Sequence, residues 1–147
     1  MSEDEAIGFV DTNILVCAFE KEDSESNRVS RNLLNRLMQT DTLRLSTQVL
    51  QEFYVTMTRK SRDPASSQET LACINDLSHW TQLTIDYSAV RDACLLNQDA
   101  SISFWDALIV VAAARTGAQR LYTEDLNHGQ RSIIPFLVAR ENREPAP

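Results

Sequence analysis

An α/β fold, built on a mainly parallel sheet of about five strands with helices on both faces, is predicted by three features of this 147-residue chain. Short apolar segments alternate with longer amphipathic ones. Strand–helix alternation of that kind implies right-handed crossovers between parallel strands. Acidic residues also fall where the apolar runs end, and open parallel sheets bind their ligands at the carboxyl ends of the strands.

Taken in order, Ile7 to Val10 is a buried strand that runs straight into Asp11. Thr12 and Asn13 are good caps for a helix through Ile14, Leu15 and Ala18. Ser26 to Gln39 carries Val29, Leu33 and Leu37 at helical spacing, and Leu43 to Leu45 reads as a second strand. Ser46 and Thr47 cap the next helix, whose apolar side is Val49, Leu50, Phe53 and Met57. Arg62 to Ser67 is a loop, because Pro64 cannot continue a helix. A helix with Leu71, Ile74 and Leu77 as its stripe follows, then a strand from Thr81 to Ile85. Ser88 to Leu96 is helical with Val90, Cys94 and Leu95 inward. Ser103 caps an almost wholly apolar helix that stops near Thr116-Gly117. Arg120 to Thr123 is a fourth strand, with Glu124 and Asp125 in the turn after it. Ile133 to Val138, interrupted by Pro135, is an edge strand. The expectation is one domain over residues 1–143 and a disordered tail over 144–147.

Composition narrows the class. The net charge of −7 argues against nonspecific wrapping of nucleic acid, which needs a broad basic surface. It leaves room for a nuclease whose acids hold cations that reverse the local sign. Cys17, Cys73 and Cys94 form no C-x-x-C pair and read as small buried thiols in a reducing compartment. The run Ala107 to Ala114 is far too short for a membrane span, and the acidic start lacks the regions of a signal peptide. A cytoplasmic protein with no membrane partner is expected.

The chemistry rests on four carboxylates at the edges of the core: Asp11, Glu52, Asp106 and Asp125. Each has a structural explanation. Asp11 fits a turn or cap, and Asp106 fits a capping box with Ser103, favoured by the helix dipole. Glu52 fits a solvated flank of its helix, and Asp125 a simple turn. Together they are harder to explain. Two carboxylates about 4 Å apart repel by roughly 4 kcal/mol at an effective dielectric near 20. A hard dication with oxygen ligands, Mg²⁺ or Mn²⁺, removes that penalty, and an all-carboxylate set suits zinc poorly. Such an ion on a phosphate polarises the phosphoryl oxygen and activates water, so phosphodiester hydrolysis is the natural chemistry.

Other sites are missing. With Gly8, Gly117 and Gly129 as the only glycines, there is no phosphate-cradling loop. No serine or cysteine sits in a nucleophile signature. His79 reads as solvated and His128 as a loop residue, while Trp80 and Trp105 read as core or interface residues. An aspartyl-phosphate mechanism is disfavoured because Asn13 stands where such phosphatases need a second aspartate.

Four stretches carry a resemblance to a family. Phe9-Val10-Asp11-Thr12-Asn13-Ile14-Leu15-Val16, Ser46 to Tyr54 around Glu52, Ser103-Phe104-Trp105-Asp106-Ala107-Leu108-Ile109 and Leu121 to Leu126 resemble PIN-domain ribonucleases, specifically VapC-type toxins of bacterial toxin–antitoxin modules. The resemblance implies a three-layer α/β/α sandwich and an acidic pocket holding Mg²⁺ or Mn²⁺. It implies endoribonuclease activity leaving 5′-phosphate and 3′-hydroxyl ends, a homodimer, and inhibition by a cognate antitoxin. Asp11, Glu52 and Asp106 match its three best-marked acids. Asp125 matches the more variable fourth, a role Glu124 could share. Thr12, Asn13, Ser103 and Thr123 match supporting positions, and Arg59, Lys60 and Arg62 are candidates to guide the RNA backbone. The competing reading is a non-catalytic PIN-like α/β binding module whose acids merely cap helices. Calorimetric titration with Mn²⁺ separates the two: a nuclease gives a saturable binding signal, and a flat titration supports the binding module.

Overall fold

The computed structural model describes residues 6–59, 65–125 and 130–135, with 65, 125 and 130–135 as backbone only. Its strands are β1 (Gly8–Val10), β2 (Leu43–Ser46), β3 (Thr81–Leu83), β4 (Arg120–Asp125) and β5 (Gln130–Pro135). Its helices are α1 (Thr12–Phe19), α2 (Glu25–Gln39), α3 (Thr47–Arg59), α4 (Ala65–Leu77), α5 (Tyr87–Ala100) and α6 (Phe104–Arg115). The five strands form one sheet in the order β3-β2-β1-β4-β5. β1 is parallel to both β2 and β4, and β2 is parallel to β3. β5 returns antiparallel on β4. The α/β architecture and the mainly parallel sheet follow the sequence expectation.

The chain steps from β1 to β2 to β3 in one direction, then crosses back to β4 on the other side of β1. Right-handed crossovers therefore put α1 to α4 on one face and α5 with α6 on the other. The switch in direction falls between β1 and β4, where a crevice opens at the strand ends. Phe9 and Val10 of β1 are fully buried, as a central strand covered on both faces requires. Around them pack Ile14, Leu15, Leu34, Leu37, Leu43, Leu45, Val49, Phe53, Ile109 and Ala112.

Between Ala107 and Ala113, helix α6 is apolar all round because it is buried on nearly every side, Val110 alone being partly exposed. Ile109, Ala112 and Ala113 join the core against the sheet, while Ala107, Leu108 and Val111 pack on Ala89 and Ala93 of α5. Its end is closed by Gly117 at φ 79°, with Ala118 N donating to Ala113 O. Arg115 then ties α6 to the start of α5 through Asp86, Ser88 and Asp92. Asn27, buried at the head of α2, donates to Cys17 O and accepts from Ser24 N, locking α1 to α2.

Several expectations are corrected. Val29, Leu71, Val90 and Leu95 are exposed, and α5 turns Ala89 and Ala93 inward. Close approach of α5 to α6 leaves room for alanine but not for larger side chains. The cysteines are not the buried thiols expected: Cys94 is exposed, and Cys17 and Cys73 are half-buried. β3 stops at Leu83, because the Ile85 N–H donates to the Thr47 hydroxyl and leaves the ladder. α4 begins at Ala65, inside the expected loop. β4 runs on through Glu124 to Asp125, and β5 begins at Gln130 and ends at Pro135, which has no N–H to continue the ladder. The remainder of the expected 133–138 strand and the 144–147 tail lie outside the described residues. Among those described, no helix is long and apolar enough to cross a membrane.

Gly8 is closely enclosed within the central strand. A Cβ built there would lie 2.7 Å from Tyr122 Cε2 and 3.3 Å from Leu37 Cδ2. Tyr122 is buried, and its hydroxyl accepts from Arg36 Nη2 at 3.4 Å, so the ring has little room to retreat. Gly8→Ala is expected to cost about 1–3 kcal/mol, the usual scale of overpacking. In a domain of this size that lowers the thermal midpoint by roughly 3–10 °C. A midpoint equal to the parent protein's would mean that the Tyr122 ring yields freely.

Candidate metal-binding active site

Asp11 follows β1 at the crevice between β1 and β4. Its N–H donates to Tyr122 O at 2.9 Å, carrying the β1–β4 pairing one residue past the strand. Its side chain is held at both oxygens. Oδ1 accepts from Thr12 N at 2.7 Å, which makes Asp11 the N-cap of α1. Oδ2 accepts from the Thr123 hydroxyl at 2.8 Å, across the sheet from β4. The expected cap pair Thr12-Asn13 is thus displaced by one residue: Asp11 caps, and Thr12 opens the helix. Thr12 Oγ1 is buried without a hydrogen-bond partner.

Burial pushes the Asp11 carboxyl up from its ordinary value of 3.8. The Thr123 and Thr12 hydrogen bonds oppose that rise, and the charge of Asp106 adds to it. Glu52 lies in the second turn of α3 and is likewise raised, first by burial, then by the charges of Asp11 and Asp106. The side chain of Gln48 opposes the rise. One oxygen of Glu52, Oε1, is buried with no hydrogen-bond partner among the described residues. A buried acceptor left unpaired costs about 1–3 kcal/mol. Asp106 is exposed in the first turn of α6, where its N–H donates to the Ser103 hydroxyl at 3.0 Å.

Asp11, Glu52 and Asp106 therefore come from three elements into one electrostatic neighbourhood. They do not form a closed cage: among the described residues, no three acid, histidine or cysteine side chains are close enough to enclose an ion. The donor set still fits a hard dication. All three groups are carboxylates, Asp11 is desolvated next to a like charge, and Glu52 offers a free buried oxygen.

The other predicted residues are placed as follows. Asp125 ends β4 opposite Gln130, and its side chain lies outside the described set. Glu124 lines a cleft of about 310 Å³ with Asn13 and Thr56, and Thr56 is one helical turn beyond Glu52. Arg59 is exposed at the end of α3, while Lys60, Arg62 and His128 lie outside the described residues. His79 is largely exposed, as expected, and pairs with Asp41 at 3.2 Å. Trp80 Nε1 donates to the same Asp41 oxygen, at the start of β2 and so at the opposite rim from the acids. Trp105 departs from the core reading: it is 64% exposed, immediately before Asp106. Sequence reasoning missed Gln48, which is 3% exposed and donates from Nε2 to Trp105 O at 3.4 Å. A glutamine one turn before a glutamate gives no pattern that would have singled it out.

The PIN domain family model matches residues 8–132, and the chain belongs to that family. No curated protein is matched in sequence. Among solved structures, the fold is similar to Mycobacterium tuberculosis VapC20, a sarcin–ricin-loop-cleaving toxin. The TM-score is 0.63 at 19% identity, over 82% of this chain and 91% of that one. It is also similar to VapBC2 from Rickettsia felis, solved bound to a DNA fragment from its promoter. There the TM-score is 0.59 at 23% identity, over 81% of this chain and 87% of that one.

The raised carboxyls set the sign of a pH effect. A carboxylate whose folded value lies above its unfolded one favours the folded state below the unfolded value, and that contribution is lost as pH rises through the folded value. Asp11→Asn keeps an acceptor for Thr12 N and removes the charge. In chelator at pH 7.5 it should melt at a higher temperature than the parent protein, with the difference closing near pH 3.5. Thermal unfolding at the two pH values tests this, and an Asn variant that is less stable at pH 7.5 would contradict a desolvated charge at Asp11.

Proposed function

We propose that this protein is a Mg²⁺- or Mn²⁺-dependent endoribonuclease and the toxin of a toxin–antitoxin pair. The observation that carries the reading is Glu52. Asp11 and Asp106 both sit at helix starts, so a capping role accounts for their positions. Glu52 caps nothing. It stands in the body of α3 with a buried, partnerless oxygen, and its charge is disfavoured by burial and by two neighbouring acids. A structural carboxylate gains nothing from that place; a cation ligand does.

In this reading Asp11, Glu52 and Asp106 hold the ion, with Asp125 as the fourth acid and Glu124 as its substitute. When bound, the divalent cation offsets the clustered negative charge, polarises a phosphoryl oxygen and increases the acidity of water. The chain's own part is to hold the acids in place beforehand. Thr123 and the Thr12 N–H fix both oxygens of Asp11, so its orientation is set before any ligand arrives. The N-terminus of α6 tolerates Asp106 in its charged form through the helix dipole. Asn13, near Glu124, borders the same rim. Arg59, with Lys60 and Arg62, would meet the RNA backbone at the end of α3, supplying positive charge that the net −7 otherwise lacks.

The toxin assignment draws on family membership together with the two VapC-type folds. It carries with it a cognate antitoxin partner, a homodimer and a cytoplasmic location. The second reading, a non-catalytic binding module, is favoured only by the two helix-start acids.

Asp106→Asn tests the activity with least risk to folding, since Asp106 is exposed and asparagine retains the backbone N–H that reaches Ser103. Cleavage of total RNA with Mn²⁺ should fall at least about 100-fold, the scale for losing one electrostatic stabiliser of the transition state. Undiminished cleavage by this variant, at the parent's Mn²⁺ requirement, would remove Asp106 from the site.

A further inference from the structure

We infer that Gln48 is a positioning residue for the metal site, setting the Glu52 carboxylate by tying the start of α3 to the start of α6. The inference rests on the proposed role of Glu52 and goes beyond it, because Gln48 belongs to none of the acids.

Gln48 is almost completely buried, at 3% exposure, in the first turn of α3. It lies one helical turn before Glu52, so the two side chains share a helix face. Its Nε2 donates to Trp105 O at 3.4 Å, and its side chain favours the charged form of Glu52. Both neighbours are acceptors. That fixes the sense of the amide, since the flipped form would set its oxygen against two other oxygens. The residue whose carbonyl it holds directly precedes Asp106. One amide group thus connects the helix carrying Glu52 to the helix carrying Asp106, and the two helices lie on opposite faces of the sheet.

Stability does not account for an amide here. Among the described residues, Gln48 Oε1 is buried with no hydrogen-bond partner, as is Oε1 of Glu52. A methionine of similar shape would fill the space without burying an acceptor of its own, at the cost of the donor to Trp105 O. What methionine would lack is the amide donor that reaches Trp105 O and favours the Glu52 carboxylate. An oriented carboxylate binds a cation better than a mobile one, and partners of this kind are typically worth about 10–100-fold in metal affinity.

The experiment is Mn²⁺ titration calorimetry on the intact protein, in parallel with thermal unfolding in chelator. Four forms are compared: the parent, Gln48→Met, Glu52→Gln and the double variant. Gln48→Met should remain folded, with a cooperative melt in chelator, and bind Mn²⁺ about 10–100-fold more weakly. In the double variant the loss should not exceed that of Glu52→Gln alone, because Gln48 acts through Glu52. If Gln48→Met does not fold, Gln48→Leu is measured in its place. Parent-like Mn²⁺ affinity in a folded Gln48 variant, with Glu52→Gln impaired, overturns this inference and leaves the nuclease reading standing. Additive losses in the double variant overturn it as well. A parent protein that binds no Mn²⁺ overturns the nuclease reading itself.

Discussion

The arrangement of this protein depends on a carboxylate held at the end of its central strand, partly stripped of water and close to other negative charge. β1 is covered on both faces, so its side chains are apolar until the chain emerges at the sheet rim, and the first residue there is Asp11. Because the crossover direction reverses between β1 and β4, the rim at that point is where open α/β sheets form a crevice. A carboxylate in a crevice loses hydration, and Thr123 and the Thr12 N–H replace only part of it. Thr123 can do so because β4 pairs with β1 in parallel register, Phe9 opposite Leu121 and Val10 opposite Tyr122. The sheet register therefore decides how Asp11 is held.

The two competing explanations for the acids turn out to describe the same atoms. Asp11 is a helix cap and also a member of the acid group; Asp106 sits within a capped first turn and its charge also bears on Asp11 and Glu52. A helix N-terminus lowers the cost of a carboxylate, which makes it a suitable place for one that also serves a ligand. Glu52 has no helix start beneath it, and its lone buried oxygen is what the proposed cation ligation accounts for and capping does not.

The places where sequence pattern misled are informative. In α5 the larger apolar residues Val90 and Leu95 point outward, and Ala89 and Ala93 face α6. Periodicity alone ranks residues by hydrophobicity and expects the larger ones inside. The distance between two helices decides instead, and a close approach admits only alanine. The same blindness affected Gln48, since a buried amide and a solvated one are identical in sequence. The ends of β4 and β5 were misplaced because ladder pairing, which a single strand does not encode, extends β4 to Asp125 and starts β5 at Gln130.

The sequence by itself determined the alternation of strands and helices, the apolar identity of β1 and α6, the Ser103 cap, the stop at Gly117 and the positions of the acids at the ends of apolar runs. These are local: each follows from neighbours within a turn or two of the chain. Tertiary structure alone decided that Thr123, 112 residues from Asp11, would hold it, that Glu52 would keep an unpaired oxygen, and that Gln48 would span two helices from opposite faces of the sheet. Hydrogen bonds and desolvation depend on what surrounds an atom in space, and for these residues the surroundings come from distant segments brought together by the parallel crossovers.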